Sequence, residues 1–309
     1  MKYVYYFLLL SLIISCKSKK YMIDSSKPTY GDFRNNQQTF KSEDGTIKYI
    51  DRGEGEVILL LHGIPTSGWL YRKMIDSLVQ KGYRVVVPDM LGFGSSDSPK
   101  GYDLYNPESH CKRLLDLMDH LQINNWTHLF HDAGGLWTWE LFKMAPNRIQ
   151  KLVVLNSIIY EAGFDPPMRF EKGVFTKLSM SFYSNKLTNR TIMKKLFKNG
   201  LMQNNLTANE LEGYKKPLIE GKTNALYTFF SSTCNSLPDY RETIKNIEVP
   251  VMIIWGKHDK MLRWNPIAEA VTNDLKIQPE NIHVIDAKHY IQEESTDEIL
   301  RYIEAFISQ

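Results

Sequence analysis

The sequence predicts an α/β fold, in which a mostly parallel central sheet is flanked by helices and interrupted after its sixth strand by a helical cap. Three observations predict it. Short apolar runs alternate with segments of helical spacing, a pattern that builds a parallel sheet covered on both faces. In WTHLFHDAGGLWTW, Trp126 to Trp139, an apolar run stops at His131-Asp132 and passes through Ala133-Gly134-Gly135 into a helix-like segment reaching Met144, which reads as strand, sharp turn, helix. Between Ser157 and Asn246 no strong strand occurs, and Phe, Tyr, Leu, Met and Lys recur at helical spacings.

At the N-terminus, Lys2 is followed by an apolar stretch from Tyr3 to Ile14 and then by Ser15 and Cys16. The stretch is short of the roughly 20 residues that a stable membrane span needs. Ile13-Ile14-Ser15-Cys16 resembles the lipobox of bacterial lipoproteins. That resemblance implies a signal peptide over residues 1–15, lipidation at Cys16, and a mature chain held to a lipid bilayer in the bacterial cell envelope, facing the periplasm. Residues 16–38, rich in Ser, Lys, Asn and Gln, read as a flexible tether.

From Thr39 onward, apolar runs are broken by Gly and Pro. Thr46 to Asp51 and Glu56 to His62 read as a strand pair around Arg52-Gly53-Glu54-Gly55, and Tyr83 to Pro88 as a further strand. Leu70 to Gln80 and Glu108 to Leu121 have helical spacing, and Lys151 to Asn156 is the strand after the organising helix. The alternation resumes with strands at Val249 to Trp255 and Asn281 to Ala287 and a closing amphipathic helix from Asp297 to Ile307. The core therefore spans 39–156 and 247–309, and the cap 157–246. An insertion at that point lies over the C-terminal strand edge, where such sheets bind ligands.

Composition excludes several classes. With 43% hydrophobic and 24% charged residues the chain is an ordinary globular one, and its net charge of +3 comes without a basic run suited to nucleic acid. Cys111 and Cys234 are too few for a disulfide framework and lack metal-ligand spacing, although a single bridge between them stays open. His128 and His131 fall on opposite faces of a strand, no H-E-x-x-H occurs, and Gly92-Phe93-Gly94 lacks the third glycine of a dinucleotide fingerprint. Neither a metal nor a cofactor is expected.

The turn at Trp126 to Trp139 presents Asp132 at its apex, and G-x-S-x-G is absent from the chain. A carboxylate that attacks an alkyl carbon forms an ester that must be cleaved at the carboxylate's own carbonyl. Three other strand ends supply partners. His62-Gly63-Ile64-Pro65 follows a buried strand, so the backbone N–H of Ile64, with that of Ala133, can form an oxyanion hole. Asp259 follows the strand in IIWGKHDKM, and His289 follows the last strand in VIDAKHYIQEE. Nucleophile, acid and histidine in that order at successive strand ends deliver a base to the apex and a carboxylate to orient the base.

On these residues the chain, from about Thr39 to its C-terminus, resembles the α/β-hydrolase fold. HGIPTSGWLYRKM, PDMLGFGSSDSP and HDAGG resemble motifs of its branch containing haloalkane dehalogenases and epoxide hydrolases. NSIIYEAGF and the insertion bear a looser likeness to the mesoderm-specific-transcript hydrolases of vertebrates. The resemblance implies Asp132 as nucleophile, Asp259 as acid and His289 as base, acting on a small-molecule substrate. Two departures bear on the subtype. Dehalogenases hold the halide with an indole directly after the nucleophile and usually an Asn or Glu after His-Gly, where this chain has Ala133 and Ile64, and no Trp lies between Trp139 and Trp255. Epoxide hydrolases use paired lid tyrosines as acids, a role that the resemblance gives to Tyr240, in Asp239-Tyr240-Arg241, with Tyr183 or Tyr160 as its partner. The expectation is a hydrolase acting through a covalent alkyl-enzyme ester on a small apolar electrophile, foremost an epoxide. A dehalogenase-type reaction, an inactive lipid-anchored binding domain and a serine-type esterase reaction with Asp132 as general base are the alternatives. Phe130, where many relatives carry a small residue two before the nucleophile, puts the tightness of the turn in question.

Overall fold

Strands that are apolar at nearly every position take the middle of the sheet. The computed structural model describes residues 28–203 and 206–309, so the leader and Cys16 lie outside the described residues. Eight strands form one sheet: β1 (Gln38–Ser42), β2 (Gly45–Arg52), β3 (Val57–Leu61), β4 (Arg84–Asp89), β5 (Trp126–Asp132), β6 (Ile149–Ser157), β7 (Val251–Gly256) and β8 (Ile282–Ile285), in the order β1-β2-β4-β3-β5-β6-β7-β8. From β4 to β8 every pairing is parallel, whereas β1 and β2 are antiparallel additions at one edge. All seven residues of β5 are buried, while β2 alternates buried with half-exposed positions. That contrast places β5 centrally and β2 near the edge.

Helices cover both faces: α1 (Tyr30–Asn35), α2 (Arg72–Gln80), α3 (Pro107–His120) and α4 (Gly134–Met144), then α9 (Arg241–Lys245) at the very end of the insertion and, after it, α10 (Ala268–Asp274), α11 (Ile291–Glu294) and α12 (Thr296–Ile307). The insertion itself holds α5 (Val174–Ser184), α6 (Lys186–Gly200), α7 (Ala208–Ile219) and α8 (Asn224–Ser231). Among the described residues no helix is long and apolar enough to cross a membrane.

Two expectations are corrected. The segments at Thr46 to Asp51 and Glu56 to His62 do not pair with each other, because β4 lies between β2 and β3 and bonds to both. The wholly apolar β3 needs neighbours on both sides, and a two-strand ribbon would have left it at an edge. The expected tether also ends sooner than Gln38. Thr29 and Asp32 form a capping box that starts α1, and Tyr30 and Phe33 set their rings edge-on to Trp69 at 5.4 and 5.3 Å. Arg34 then pairs with Glu220 of the cap at 2.8 Å.

The cap is pinned to the core by a buried ion network. Arg72 of α2 donates to Glu293 of α11 and, at 3.0 Å, to Glu210 of α7, and its guanidinium stacks 4.5 Å from the Trp69 ring. The indole N–H of Trp69 donates to the Glu210 carbonyl at 3.0 Å. Cys111 and Cys234 are both buried free thiols, so the bridge that the sequence left open is not formed.

Candidate active site

Asp132 ends β5 with φ at +53°, a conformation that a non-glycine residue holds only under constraint. The constraint is visible: the Asp132 carbonyl accepts from the Ser157 hydroxyl at 2.6 Å and from the Ile158 N–H at 3.1 Å, both at the end of β6. Behind the apex the chain must be small, since a Cβ on Gly135 would stand 2.4 Å from the Ile158 carbonyl oxygen. Phe130 does not loosen the turn. It is fully buried and packs edge-on against Trp139 of α4 at 5.3 Å, filling space that a small residue leaves to others.

The Asp132 carboxylate is already gripped. Its Oδ1 accepts from the Ile64 N–H at 2.8 Å, and the Ala133 N–H, next along the chain, favours the charged carboxylate electrostatically. The loop carrying Ile64 is held by His62, which donates from Nδ1 to the Gly63 carbonyl at 2.7 Å and accepts from the Met90 N–H on Nε2 at 3.0 Å. Burial keeps His62 neutral, down to about 4.

His289, in the loop after β8, donates from Nδ1 to Oδ2 of Asp259 at 2.8 Å, leaving Nε2 as its basic nitrogen. Asp259, in the loop after β7, has Oδ1 held by the N–H groups of Met261 and Leu262 at 2.8 and 3.0 Å. Its Oδ2 also accepts from the side-chain amide of Asn156 at 2.6 Å. Burial works against a charge on each of the three groups. For Asp132 burial wins and the carboxyl sits above its ordinary 3.8, although His289 and the two N–H groups oppose it. For Asp259 the contact with His289 and Asn156 outweighs burial, and the carboxyl sits below its ordinary 3.8. For His289 the two carboxylates outweigh burial and lift it above its ordinary 6.5.

A cavity of about 840 Å³ lies between the strand ends and the cap, lined by Ile64, Asp132, His289 and Tyr290 from the core and by apolar cap residues including Phe164, Phe182, Phe229 and Phe230. Of the sequence-predicted residues, Asp132, Asp259, His289, Ile64 and Ala133 are thus brought together, and Tyr183 lines the same cavity. Among the described residues the Tyr183 hydroxyl meets only the sulfur of Met168, at 3.7 Å, and burial pushes it up to about 12. Tyr240 is not brought there. Its hydroxyl donates to the Glu140 carboxylate of α4 at 2.8 Å, and Tyr240 does not line the cavity. Tyr160 likewise turns away and donates to Asp274 at 2.7 Å.

The sequence reading missed Asn156 and Tyr290. Asn156, at φ +33°, also accepts from the Gly256 N–H at 2.8 Å, so it ties the end of β6 to that of β7 while holding Asp259. An Asn at a strand end is a residue type that tolerates positive φ, and that is its only signal. Tyr290 follows His289, its ring 4.7 Å from the imidazole, and was hidden by its neighbour. Among the described residues no group of three His, Cys, Asp or Glu stands ready to hold a metal.

Residues 56–296 match the profile of the α/β-hydrolase fold. The chain belongs to that family. Within it, this α/β-hydrolase-fold chain is 36% identical over 126 residues to a haloalkane dehalogenase of Mycolicibacterium paratuberculosis, a match covering 40% of this chain and less than half, 42%, of the dehalogenase. It is 26% identical over 300 residues to the cis-3-alkyl-4-alkyloxetan-2-one decarboxylase of Shewanella oneidensis, covering 87% of this chain and 88% of that one. Among solved structures, an epoxide hydrolase of Vigna radiata superposes with a TM-score of 0.70 at 19% identity, over 88% of this chain and 97% of the other, a likeness of fold.

Proposed function

We propose that the chain hydrolyses a small apolar epoxide by covalent catalysis at Asp132. One observation carries the reading: the oxyanion hole is filled by the enzyme's own carboxylate oxygen, Oδ1 of Asp132 on the Ile64 N–H. In a serine-type reaction the hole receives a substrate carbonyl oxygen. A hole fitted around an aspartate oxygen instead suits a tetrahedral centre on the aspartate's own carbon, which arises only when an Asp ester is hydrolysed.

The free oxygen of Asp132 attacks a ring carbon and the C–O bond breaks, while Tyr183 gives its proton to the departing ring oxygen. His289, oriented by Asp259, takes a proton from water as that water adds to the ester carbonyl. The oxyanion forms on Oδ1, within the two N–H groups. Collapse expels the alkoxide, which takes the proton held by His289 and leaves as the diol, while the acid formed at Asp132 gives its proton back to the Tyr183 phenolate and is restored to the carboxylate. A halide is a poorer leaving group here, since the side chains at Ile64 and Ala133 donate nothing and no indole lines the cavity among the described residues. Bromoalkanes are expected to release negligible bromide.

The test is His289→Gln incubated with an epoxide panel and analysed by intact mass. An adduct on the peptide holding Asp132 is expected; no adduct on a natively folded variant rejects the epoxide reading. A second reading is favoured by the match to an oxetanone decarboxylase, which covers 88% of that protein. A strained cyclic ester opened at its alkyl carbon becomes an Asp132 ester bearing a β-carboxylate, which needs no proton donor; when that carboxylate breaks away as carbon dioxide its C–C electrons form an alkene and expel the Asp132 carboxylate, and carbon dioxide release from an oxetan-2-one distinguishes this reading. Lipidation at Cys16 is part of the same proposal, and loss of metabolically incorporated labelled fatty acid in Cys16→Ala is its expected signature.

A further inference from the structure

The outer face of the cap differs from the rest of the surface. On α5, Val174, Phe175, Leu178 and Phe182 are 83, 72, 55 and 49% exposed. At the turn of an α-helix these four fall within an arc of about 100°. Leu187, 84% exposed, extends the patch onto the start of α6. Soluble surfaces seldom gather large apolar side chains in this way without a partner. The two helices pack side by side and carry Lys177, Lys186, Arg190, Lys194 and Lys198, with a sixth cation, Lys195, lining the cavity, and no Asp or Glu. The chain as a whole has a net charge of +3, so these helices hold six positive charges while the remaining residues sum to −3.

An apolar stripe rimmed by lysine and arginine matches the headgroup layer of an anionic bilayer, where the apolar side chains reach the acyl region and the cations stay among phosphates. A second copy of this chain matches poorly, because a twofold contact would set the same cations against themselves. We propose that the outer face of α5 and α6 docks on an anionic lipid surface. Phe182 belongs both to the exposed stripe and to the cavity lining, and Tyr183 and Leu196 of the same helices line the cavity from within. Docking therefore brings the cap wall of the Asp132 cavity to the acyl layer, and the substrates it favours are apolar molecules that partition into lipid. The delivery of substrate rests on the function proposed above, whereas the docking does not.

The experiment uses the full chain carrying Cys16→Ser, so that no attached lipid contributes, with an environment-sensitive nitrobenzoxadiazole label on Leu178→Cys. Cys111 and Cys234 are buried. Vesicles of phosphatidylglycerol or of phosphatidylcholine are added, and bound protein is collected by flotation. On phosphatidylglycerol the label should blue-shift and be quenched by brominated acyl chains. Lys186→Glu with Arg190→Glu should weaken the label's insertion at least about tenfold, given roughly 1 kcal/mol per basic residue near such a surface. Bound protein whose label keeps its aqueous emission overturns the proposal, as does absence of binding or an equal shift on both lipids. A shift that grows with protein concentration without vesicles assigns the face to a second copy. Turnover of a water-soluble epoxide without vesicles is read separately, so a failure of the chemistry and a failure of docking stay distinguishable.

Discussion

Asn156 donates to Oδ2 of Asp259 at 2.6 Å, on the same oxygen that accepts from His289. The amide thus fixes the plane of the carboxylate that orients the base, and its own Oδ1 is committed to the Gly256 N–H. In Asn156→Ala Oδ2 of Asp259 keeps only His289, while Oδ1 stays on the N–H groups of Met261 and Leu262, so the carboxylate is less firmly held and less well stabilised as an anion. A hydrogen bond to a charged acceptor is worth about 1.5–3 kcal/mol, which at 1.36 kcal/mol per decade is roughly a ten- to hundredfold loss in rate. The loss should fall on hydrolysis of the Asp132 ester, the step that uses His289, and leave formation of the ester within about threefold. Quenched-flow mass spectrometry separates the two; equal loss in both steps would reduce Asn156 to a structural residue.

The two half-reactions should also separate with pH. Attack needs ionised Asp132, which burial holds above its ordinary 3.8, so ester formation persists at higher pH and fails as pH falls through that raised value. Hydrolysis needs neutral His289, which in the free enzyme Asp259 and Asp132 hold above its ordinary 6.5 against the pull of burial. In the ester Asp132 carries no charge and Asp259 alone supports the imidazolium, so the hydrolysis rate climbs with pH through a value below the one His289 has in the free enzyme, and the ester accumulates below that climb. In Asp259→Asn the anion that supports the imidazolium is gone, so the climb should shift to lower pH while the rate itself drops. A wild-type hydrolysis climb centred above the pH at which His289 titrates in the free enzyme contradicts the electrostatics of the site.

What the residues disclose in advance is what is local. The apex at Asp132 was legible because an apolar run, a carboxylate and two glycines fall within a few residues, and the order of Asp259 and His289 at strand ends followed the chain. The pairing of β2 with β4 was not, since it joins segments separated by β3 and α2 and depends on which strand most needs burial on both faces. Helix α1 was masked by polar neighbours, although its anchors Tyr30 and Phe33 stand in the sequence. Tyr240 misled because the direction of its ring is set by Glu140, a hundred positions earlier. Asn156 escaped notice because its partner, Asp259, is near it only in three dimensions.

The buried network around Arg72 should make stability fall in acid. Burial opposes the charge on Glu293, and Arg72 and Lys73 outweigh it, holding the carboxyl below its ordinary 4.5. Glu210 is held at about 2 against burial by Thr207, Arg72 and Lys73. Both folded values lie below the unfolded one, so the contribution is whole above roughly pH 4.3 and is lost as pH falls from there through the folded values. Arg72→Met leaves Glu293, whose side chain is 1% exposed, with Lys73 as its remaining cation at 2.8 Å. The expected cost is about 3 kcal/mol, the lower end for breaking a buried pair, and replacing Glu293 by Leu in the same chain should recover part of it. Urea unfolding at pH 7 measures both, and a cost under about 1 kcal/mol would mean that the cap is not pinned through Arg72.

Tyrosine identity offers the sharpest division between acid-assisted ring opening and its alternatives. Tyr183 stands in the cavity with a hydroxyl that, among the described residues, meets only the Met168 sulfur, so its proton is available to a departing oxygen. Tyr240 spends its hydroxyl on Glu140, which also has Lys143 at 3.0 Å. Tyr183→Phe should lower epoxide turnover by about a hundredfold or more, the ordinary worth of a positioned general acid, and leave oxetanone opening unchanged because a carboxylate departs unaided. Tyr240→Phe should keep epoxide turnover within about twofold and cost about 1 kcal/mol of stability for the lost hydrogen bond. If the rates reverse, with Tyr240→Phe the crippled variant, the cap must reorganise around substrate and carry Tyr240 to Asp132. If neither matters, the leaving oxygen needs no acid, and the cyclic ester becomes the better substrate class.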